Sequence, residues 1–154
     1  MSVYYFDTSA LIKRYVQEKG TIWVTGITER SAGHDLNTVS LTGPEMIATF
    51  FRKARGGTMT RAQAIRIAHN FDVDWQQQYQ VLVVSESIVN LAMAIAKKHA
   101  LRGYDSVHLA AALELHQDRQ TLQLPALTFV SADVEQLQAA QAEGLVIENP
   151  DNYI

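Results

Sequence analysis

The sequence contains no cysteine, and only 3 of its 154 residues are proline. Without cysteine there can be no disulfide bond and no thiolate metal site, so a bound metal ion would need oxygen or imidazole ligands. No apolar run approaches the roughly 20 residues that span a bilayer. The first ten residues lack a basic region ahead of their apolar side chains, which argues against a secretory signal. We therefore expect a cytoplasmic protein with no membrane partner.

Positive charge is scarce as well, with 13 basic and 16 acidic residues and a net charge of −3. A protein that coats duplex nucleic acid through its backbone is usually basic overall, so this mode of binding is disfavoured. An enzyme that meets a few phosphates through metal ions is still compatible with the acidic balance. Basic side chains do cluster locally, as at Arg52, Lys53 and Arg55, where a solvated helix face is the simplest interpretation.

The residues that are present predict one α/β domain spanning residues 1–154. Hydrophobic residues make up 47% of the chain, which is enough for a sizeable core. Short apolar runs typical of strands alternate with segments of helical periodicity, and this order favours an α/β sandwich with a mostly parallel sheet. The predicted strands are residues 2–6, 36–41, 81–84, 127–131 and 145–147.

Capping residues mark the beginnings of several predicted helices. Pro44 suits the first turn of a helix, and Glu45 falls in that same turn. Thr60 and Gln63 have the spacing of a capping box, which would begin a helix that runs to about residue 79. Asp105 opens a helix that runs to about residue 116, and its apolar residues are so frequent that most of this helix should be buried.

Four acidic residues fall at predicted strand ends or helix beginnings, namely Asp7, Glu45, Asp105 and Asp133. In an open parallel sheet, these positions share the edge where ligands bind. Helix dipoles relieve part of the mutual repulsion of such carboxylates, and a hard divalent cation would relieve the rest. Each aspartate alone could be only a helix cap, but glutamate is not a preferred capping residue. Together they suggest a Mg²⁺ or Mn²⁺ site.

Other polar residues allow more than one interpretation. His108 follows Asp105 by three residues, so both lie on one helix face. It could be a metal ligand or a proton donor, but a buried histidine held by a hydrogen bond is the favoured interpretation. Arg102 could contact phosphate or pair with a nearby acid. Asp72 and Asp74 lie inside a helical stretch and are predicted to face solvent.

Four blocks of the chain resemble the PIN domain, and most closely its VapC type, the toxins of type II toxin–antitoxin systems. D-T-S or S-A-D alone is a weak match, but together with L-R-x-x-D-x-x-H-L-A the resemblance is specific, and it covers essentially the whole chain. The blocks are YYFDTSALIKRY (4–15), PEMIATFFRKARGG (44–57), LRGYDSVHLAAAL (101–113) and FVSADVEQLQAAQAEGLVIENP (129–150).

The resemblance implies a three-layer α/β/α sandwich with about five strands and a Mg²⁺- or Mn²⁺-dependent endoribonuclease activity. It implies that Asp7 and Asp105 are the main ligands of one or two ions. Asp133 and Glu45 would complete the site directly or through waters. The supporting hydroxyl residue of the family corresponds to Ser9, with Ser131 as a second candidate.

The same resemblance implies three partners: an RNA substrate, a cognate VapB-like antitoxin and a second copy of the chain. Tyr15, Trp23 and Ile27 could either belong to the core or line a groove for the antitoxin.

A catalytically inactive PIN-like module that binds RNA or protein is the main alternative. A phosphatase of the haloacid dehalogenase type is disfavoured because it needs an aspartate where Ser9 stands. A receiver domain is disfavoured because no acidic pair ends the first strand.

Overall fold

The computed structural model describes residues 1–154 as a five-stranded parallel sheet flanked by seven α-helices. The strands are β1 (Val3–Phe6), β2 (Asp35–Val39), β3 (Tyr79–Leu82), β4 (Thr128–Val130) and β5 (Val146–Glu148). The helices are α1 (Thr8–Leu11), α2 (Thr21–Thr28), α3 (Thr42–Arg55), α4 (Arg61–Gln77), α5 (Glu86–His99), α6 (Gly103–Thr121) and α7 (Val134–Ala142). Short 3₁₀ turns cover Ile12–Arg14, Arg30–Ala32 and Pro150–Asn152.

The strand order β3-β2-β1-β4-β5 places the first strand at the centre of the sheet. In register, Tyr5 of β1 lies opposite Asn37 of β2 on one side and Phe129 of β4 on the other. The chain builds outward from β1 to β3 and then returns to the other side of β1. The order of strands therefore reverses between β1 and β4, which is where open α/β sheets bind ligands at their carboxyl edge.

The sheet is covered on both faces, as the three-layer prediction requires. Because neighbouring strand residues point to opposite faces, Tyr5 and Phe129 pack in one core cluster while Phe6 and Val130 pack in the other. The first cluster draws on α5, α6 and α7, and the second on α1, α3 and α4. This agrees with the short apolar runs of the sequence, because such runs in a parallel sheet indicate strands that are buried on both faces. The predicted α/β sandwich is confirmed.

Several element boundaries differ from the prediction by a residue or two, and the differences at β3 and α6 are the most informative. Strand β3 was expected at residues 81–84 but begins at Tyr79, whose buried ring packs in the second cluster while Val83 is left exposed. Helix α6 begins at Gly103 and ends at Thr121, since the Arg102 carbonyl accepts the first helical bond from Ser106 and no breaker follows residue 116. Asp105 is accordingly the third residue of α6 and not its cap.

The prediction that Asp74 faces solvent is wrong. Its carboxylate accepts a 2.8 Å hydrogen bond from the Tyr15 hydroxyl and pairs with Arg14 at 3.5 Å and Arg30 at 3.3 Å. The Tyr15 and Tyr79 hydroxyls also meet, and burial raises the pKa of Tyr79 to about 12. This network joins α4 to the turn after α1, whereas Asp72 is exposed as predicted.

Tyr15, Trp23 and Ile27 all pack against the second core cluster, as one of their two interpretations requires. Trp23 also stacks on Tyr153, with ring centroids 4.5 Å apart. No helix of the structure combines the length and apolar character needed to cross a bilayer.

The 3₁₀ turn Pro150–Asn152 is fastened to the segment before α2. Buried Lys13 pairs with Asp151 at 2.8 Å and with Glu18 at 3.3 Å. Gly20 has a positive φ of 84°, and a Cβ at this position would lie 2.4 Å from the Pro150 carbonyl oxygen. Glycine is therefore required at this contact for two separate reasons.

Gly20→Ala should lower the free energy of unfolding by about 3 kcal/mol, because the left-handed backbone and the overpacked contact each cost on the order of 1–2 kcal/mol. Urea denaturation would measure the loss. Gly57→Ala is the matched control: Gly57 has a φ of 83° but open space around its would-be Cβ. Equal losses in the two variants would contradict a specific role for the Pro150 contact.

Candidate active site

Asp7 lies at the carboxyl end of the central strand and is almost fully buried, with 3% of its surface exposed. It is the N-cap of α1, and its Oδ1 accepts hydrogen bonds from the Ala10 amide at 3.0 Å and the Ser9 hydroxyl at 2.7 Å. Its Oδ2 accepts a 2.7 Å bond from the Ser131 hydroxyl. Burial raises the pKa of Asp7, while nearby His108 and these donors act in the opposite direction.

Both supporting serines contact Asp7 and bind the loop after β4 at the same time. The Ser9 hydroxyl accepts the Ala132 amide at 2.9 Å, and the Ser131 hydroxyl accepts the Asp133 amide at 3.0 Å. Each hydroxyl thus donates its one proton to Asp7 and accepts from the backbone. The pair holds the Asp7 carboxylate in one orientation and ties the Asp133 loop to the first strand.

Asp105 and Asp133 stand at the beginnings of neighbouring helices. Asp133 caps α7, where its Oδ1 accepts the amides of Glu135 and Gln136 at 3.0 and 3.2 Å. The Gln136 side chain donates to the Asp105 carbonyl at 3.0 Å and so couples α7 to α6. Partial burial, followed by the charges of Asp133 and Asp7, raises the pKa of Asp105 to about 6. Asp7 and Asp133 are therefore both within electrostatic range of Asp105.

Glu45 is held by residues from two other helices. Its Oε1 accepts hydrogen bonds of 2.8 Å from the Thr8 hydroxyl and of 2.8 Å from His108 Nε2. The other ring nitrogen of His108 lies 3.2 Å from the Tyr5 hydroxyl, and the ring is 2% exposed. Burial works to raise the pKa of Glu45, but the bond and charge of His108 and the Thr8 hydroxyl lower it overall. His108 is thus the buried, carboxylate-bonded histidine that the sequence favoured.

The structure brings all four acids to one edge of the sheet, but it does not gather them into a metal-binding group. No set of three acidic or imidazole side chains is close enough to hold an ion as it stands. Glu45 is turned toward Thr8 and His108, and Asp7 toward the serines. The donor chemistry fits a hard divalent cation, because every donor is a carboxylate oxygen and because burial, together with the charges of Asp133 and Asp7, raises the pKa of Asp105.

Sequence reasoning did not identify Thr8 and Tyr5, the two residues that hydrogen-bond to Glu45 and His108. Alternation along β1 could have placed Tyr5 on the same face as α6, but the Thr8 contact depends on how α1 and α3 pack. Arg102 forms no direct salt bridge, but its charge lies near enough to Asp105 to oppose the rise in the pKa of that carboxyl.

Comparison with known proteins gives the site its context. No family model matches the chain. Ribonuclease VapC45 of Mycobacterium tuberculosis is 31% identical over 114 residues, which is 73% of this chain and 76% of the relative. The chain belongs to the VapC ribonuclease family. A second VapC relative, Ribonuclease VapC47 of the same organism, is 27% identical over 95% of this chain and 96% of its own.

Solved structures agree with the VapC assignment at the level of the fold. PAE2754 from Pyrobaculum aerophilum has a TM-score of 0.62 at 18% identity, covering 98% of this chain and 85% of its own. VapBC2 from Rickettsia felis, solved with a DNA fragment from its promoter, has a TM-score of 0.61 at 9% identity and covers 96% and 98%. The predicted PIN-domain architecture is confirmed.

Asp105 gives a pH-dependent prediction for the metal-free protein. Its pKa is raised from 3.8 to about 6 on folding, so the folded state binds more protons between these values. This group therefore makes stability fall as the pH rises from about 4 to about 6. Asp105→Asn should melt at a higher temperature than the wild type above pH ~6, and the difference should shrink toward pH ~4.

Thermal denaturation in the presence of a chelator, repeated across this pH range, would measure the effect. Asp72→Asn is the control, because Asp72 is exposed on α4 and makes no ion pair. If the difference in melting temperature between the wild type and Asp105→Asn is the same at every pH, the raised pKa of Asp105 is contradicted.

Proposed function

We propose that this VapC family member is a Mg²⁺- or Mn²⁺-dependent endoribonuclease toxin that hydrolyses RNA phosphodiester bonds. The observation that carries the proposal is the buried Asp7 carboxylate, fixed by Ser9 and Ser131 where the strand order reverses, with the charges of Asp105 and Asp133 beside it. Burial and the charges of Asp133 and Asp7 raise the pKa of Asp105 even though His108 and Arg102 act in the opposite direction, and a divalent cation would stabilise the ionised carboxylates.

Asp7 and Asp105 would be the main ligands, with Asp133 and Glu45 completing the site directly or through water. When bound, the ion would lower the pKa of a water molecule and polarise the phosphoryl group for in-line attack. Asp7 brings an oriented carboxylate that needs no reorganisation, because both of its oxygens are already fixed by hydroxyl donors. Asp133 has one oxygen committed to the α7 cap and the other without a hydrogen bond.

Glu45 and His108 form the second part of the proposed mechanism. The hydrogen bonds from His108 and Thr8 keep Glu45 ionised and fix the carboxylate at the mouth of the site. Because the Glu45 carboxylate is already fixed by these hydrogen bonds, it can orient a water molecule without a change in its own position. His108 does not face solvent, so we assign it a positioning role and not that of a proton donor to the leaving group.

We further propose that a VapB-like antitoxin neutralises the enzyme and that the chain forms a homodimer. Family membership supports both, and the Rickettsia felis protein was solved as VapBC2. An inactive PIN-like module is disfavoured because all four acids are present at one edge of the sheet.

Asp7→Asn should abolish RNA cleavage while leaving the fold intact, because it removes the charge, keeps the shape of the side chain and gives up only one accepted hydroxyl bond. Sequencing of RNA ends after induced expression, wild type beside variant, would show the cleavage sites and their loss. Circular dichroism would check folding, and Asp72→Asn would control for the loss of one charge. Wild-type cleavage by folded Asp7→Asn would contradict the proposed catalytic site.

Mn²⁺ binding provides a readout that does not depend on activity. Calorimetry should detect binding to the wild type and to Asp72→Asn. Binding should be weakened at least tenfold in Asp7→Asn and in Asp105→Asn, on the order of the effect of losing a ligand-orienting group. If the wild type takes up no Mn²⁺ and cleaves no RNA, the inactive-module alternative is the correct one.

A further inference from the structure

Gln136 is a fully buried polar residue on the otherwise apolar inner face of α7. It lies in the first turn of this helix, and none of its surface is exposed. The other buried residues of α7 are Leu137, Ala139 and Ala140. Glutamine is seldom buried in this way, because its amide group must give up hydrogen bonds to water. A specific contact should therefore account for its presence.

The side chain of Gln136 makes a single hydrogen bond. Its Nε2 donates to the Asp105 carbonyl at 3.0 Å, and its Oε1 is buried without a partner in the chain. Since a carbonyl can only accept, the amide nitrogen must be the atom that faces it. A buried acceptor without a partner lowers stability, and an apolar side chain of similar size would avoid this cost. Stability alone therefore does not explain a glutamine here, and the contact with Asp105 is what the residue provides.

Gln136 contacts both acidic residues at the beginnings of α6 and α7. While its side chain donates to the Asp105 carbonyl, its backbone amide donates to Asp133 Oδ1 at 3.2 Å. The Asp133 amide in turn donates to the Ser131 hydroxyl, which donates to Asp7. A continuous series of hydrogen bonds therefore runs from the beginning of α6, through Gln136, to the buried carboxylate at the centre of the sheet.

The Gln136 bond is the only side-chain hydrogen bond between α6 and α7. Helix α6 packs chiefly against α5 and much less against α7. Burial, followed by the charges of Asp133 and Asp7, raises the pKa of Asp105 to about 6, so these carboxylates repel one another when ionised. The neutral Gln136 amide holds the two helices together against this repulsion. Because it bonds to the Asp105 backbone, the carboxylate of that residue stays available to a cation.

We propose that Gln136 is a positioning residue that fixes the spacing of Asp105 and Asp133 for a divalent cation. This inference rests on the proposed metal-dependent function, and it adds a residue that contacts neither the RNA nor the ion. Mg²⁺ demands near-ideal octahedral geometry, whereas Ca²⁺ accepts flexible arrangements of oxygen ligands. A spacing fixed by Gln136 should therefore matter more for Mg²⁺ than for Ca²⁺.

Gln136→Met tests the inference, because methionine has nearly the same size and shape but cannot donate a hydrogen bond. Calorimetry should show Mg²⁺ and Mn²⁺ binding weakened at least tenfold, on the order of the effect of losing a group that orients a metal ligand. Ca²⁺ binding should be weakened less. Gln138→Met is the matched control, because Gln138 is exposed on the same helix, and it should bind all three ions like the wild type.

Thermal denaturation with a chelator present separates a positioning role from a structural one. Because methionine removes the unpartnered Oε1, metal-free Gln136→Met should melt at the wild-type temperature or above it. Gln136→Leu should behave in the same way, and it serves as the second variant if the first does not fold. RNA cleavage at limiting Mn²⁺ should fall in both variants and recover when Mn²⁺ is in excess, with an unchanged KM for RNA.

Wild-type Mn²⁺ affinity in the folded variants, or equal weakening of Mg²⁺ and Ca²⁺ binding, would overturn the inference. A loss of metal affinity accompanied by a lower melting temperature in both variants would also overturn it, because Gln136 would then only hold the fold together. If the wild type binds Mn²⁺ and cleaves RNA and both variants match it, only the role of Gln136 is wrong. If the wild type neither binds Mn²⁺ nor cleaves RNA, the proposed function is wrong and this inference fails with it.

Discussion

The architecture of the site depends on one buried carboxylate. Asp7 follows the central strand, and its two oxygens are held by hydroxyls from both sides of the point where the strand order reverses. The same hydroxyls accept amides from the loop after β4, so the position of Asp133 is tied to that of Asp7. An unpaired charge this deeply buried would be costly, and three donors offset part of that cost.

The acids around Asp7 are held in contrasting ways. Glu45 is accompanied by a histidine and a hydroxyl that favour its ionised form, so it is satisfied within the chain. Asp105 is partly buried and has acidic neighbours instead, and its pKa rises to about 6. The charge of Glu45 is thus compensated by groups of the chain itself, whereas the charge of Asp105 is not.

Much of the fold was predictable because its signals are local. Alternating apolar runs and helix caps gave five strands in nearly correct positions, and the Thr60–Gln63 capping box is present as expected. The four acids were predicted from their places at strand ends and helix beginnings. The Glu45–His108 bond could not be predicted, because it joins residues 63 positions apart on helices from opposite layers. The Asp74 contacts could not be predicted for the same reason. The pattern of α4 alone predicts that Asp74 is exposed, but Tyr15 and Arg14 from another element bind its carboxylate.

The Glu45–His108 hydrogen bond joins the two outer layers of the sandwich, because α3 belongs to one and α6 to the other. Glu45 and His108, which are proposed to position water, therefore also hold the two layers together. Substitution of Asp105 by a neutral residue would relieve its repulsion by Asp133 and Asp7 and favour folding, while substitutions at the Glu45–His108 pair would weaken the contact between the layers. Stability and activity therefore have opposite signs at Asp105 and the same sign at the Glu45–His108 pair, so the chain could lose Asp105 and still keep the hydrogen bond that joins its layers.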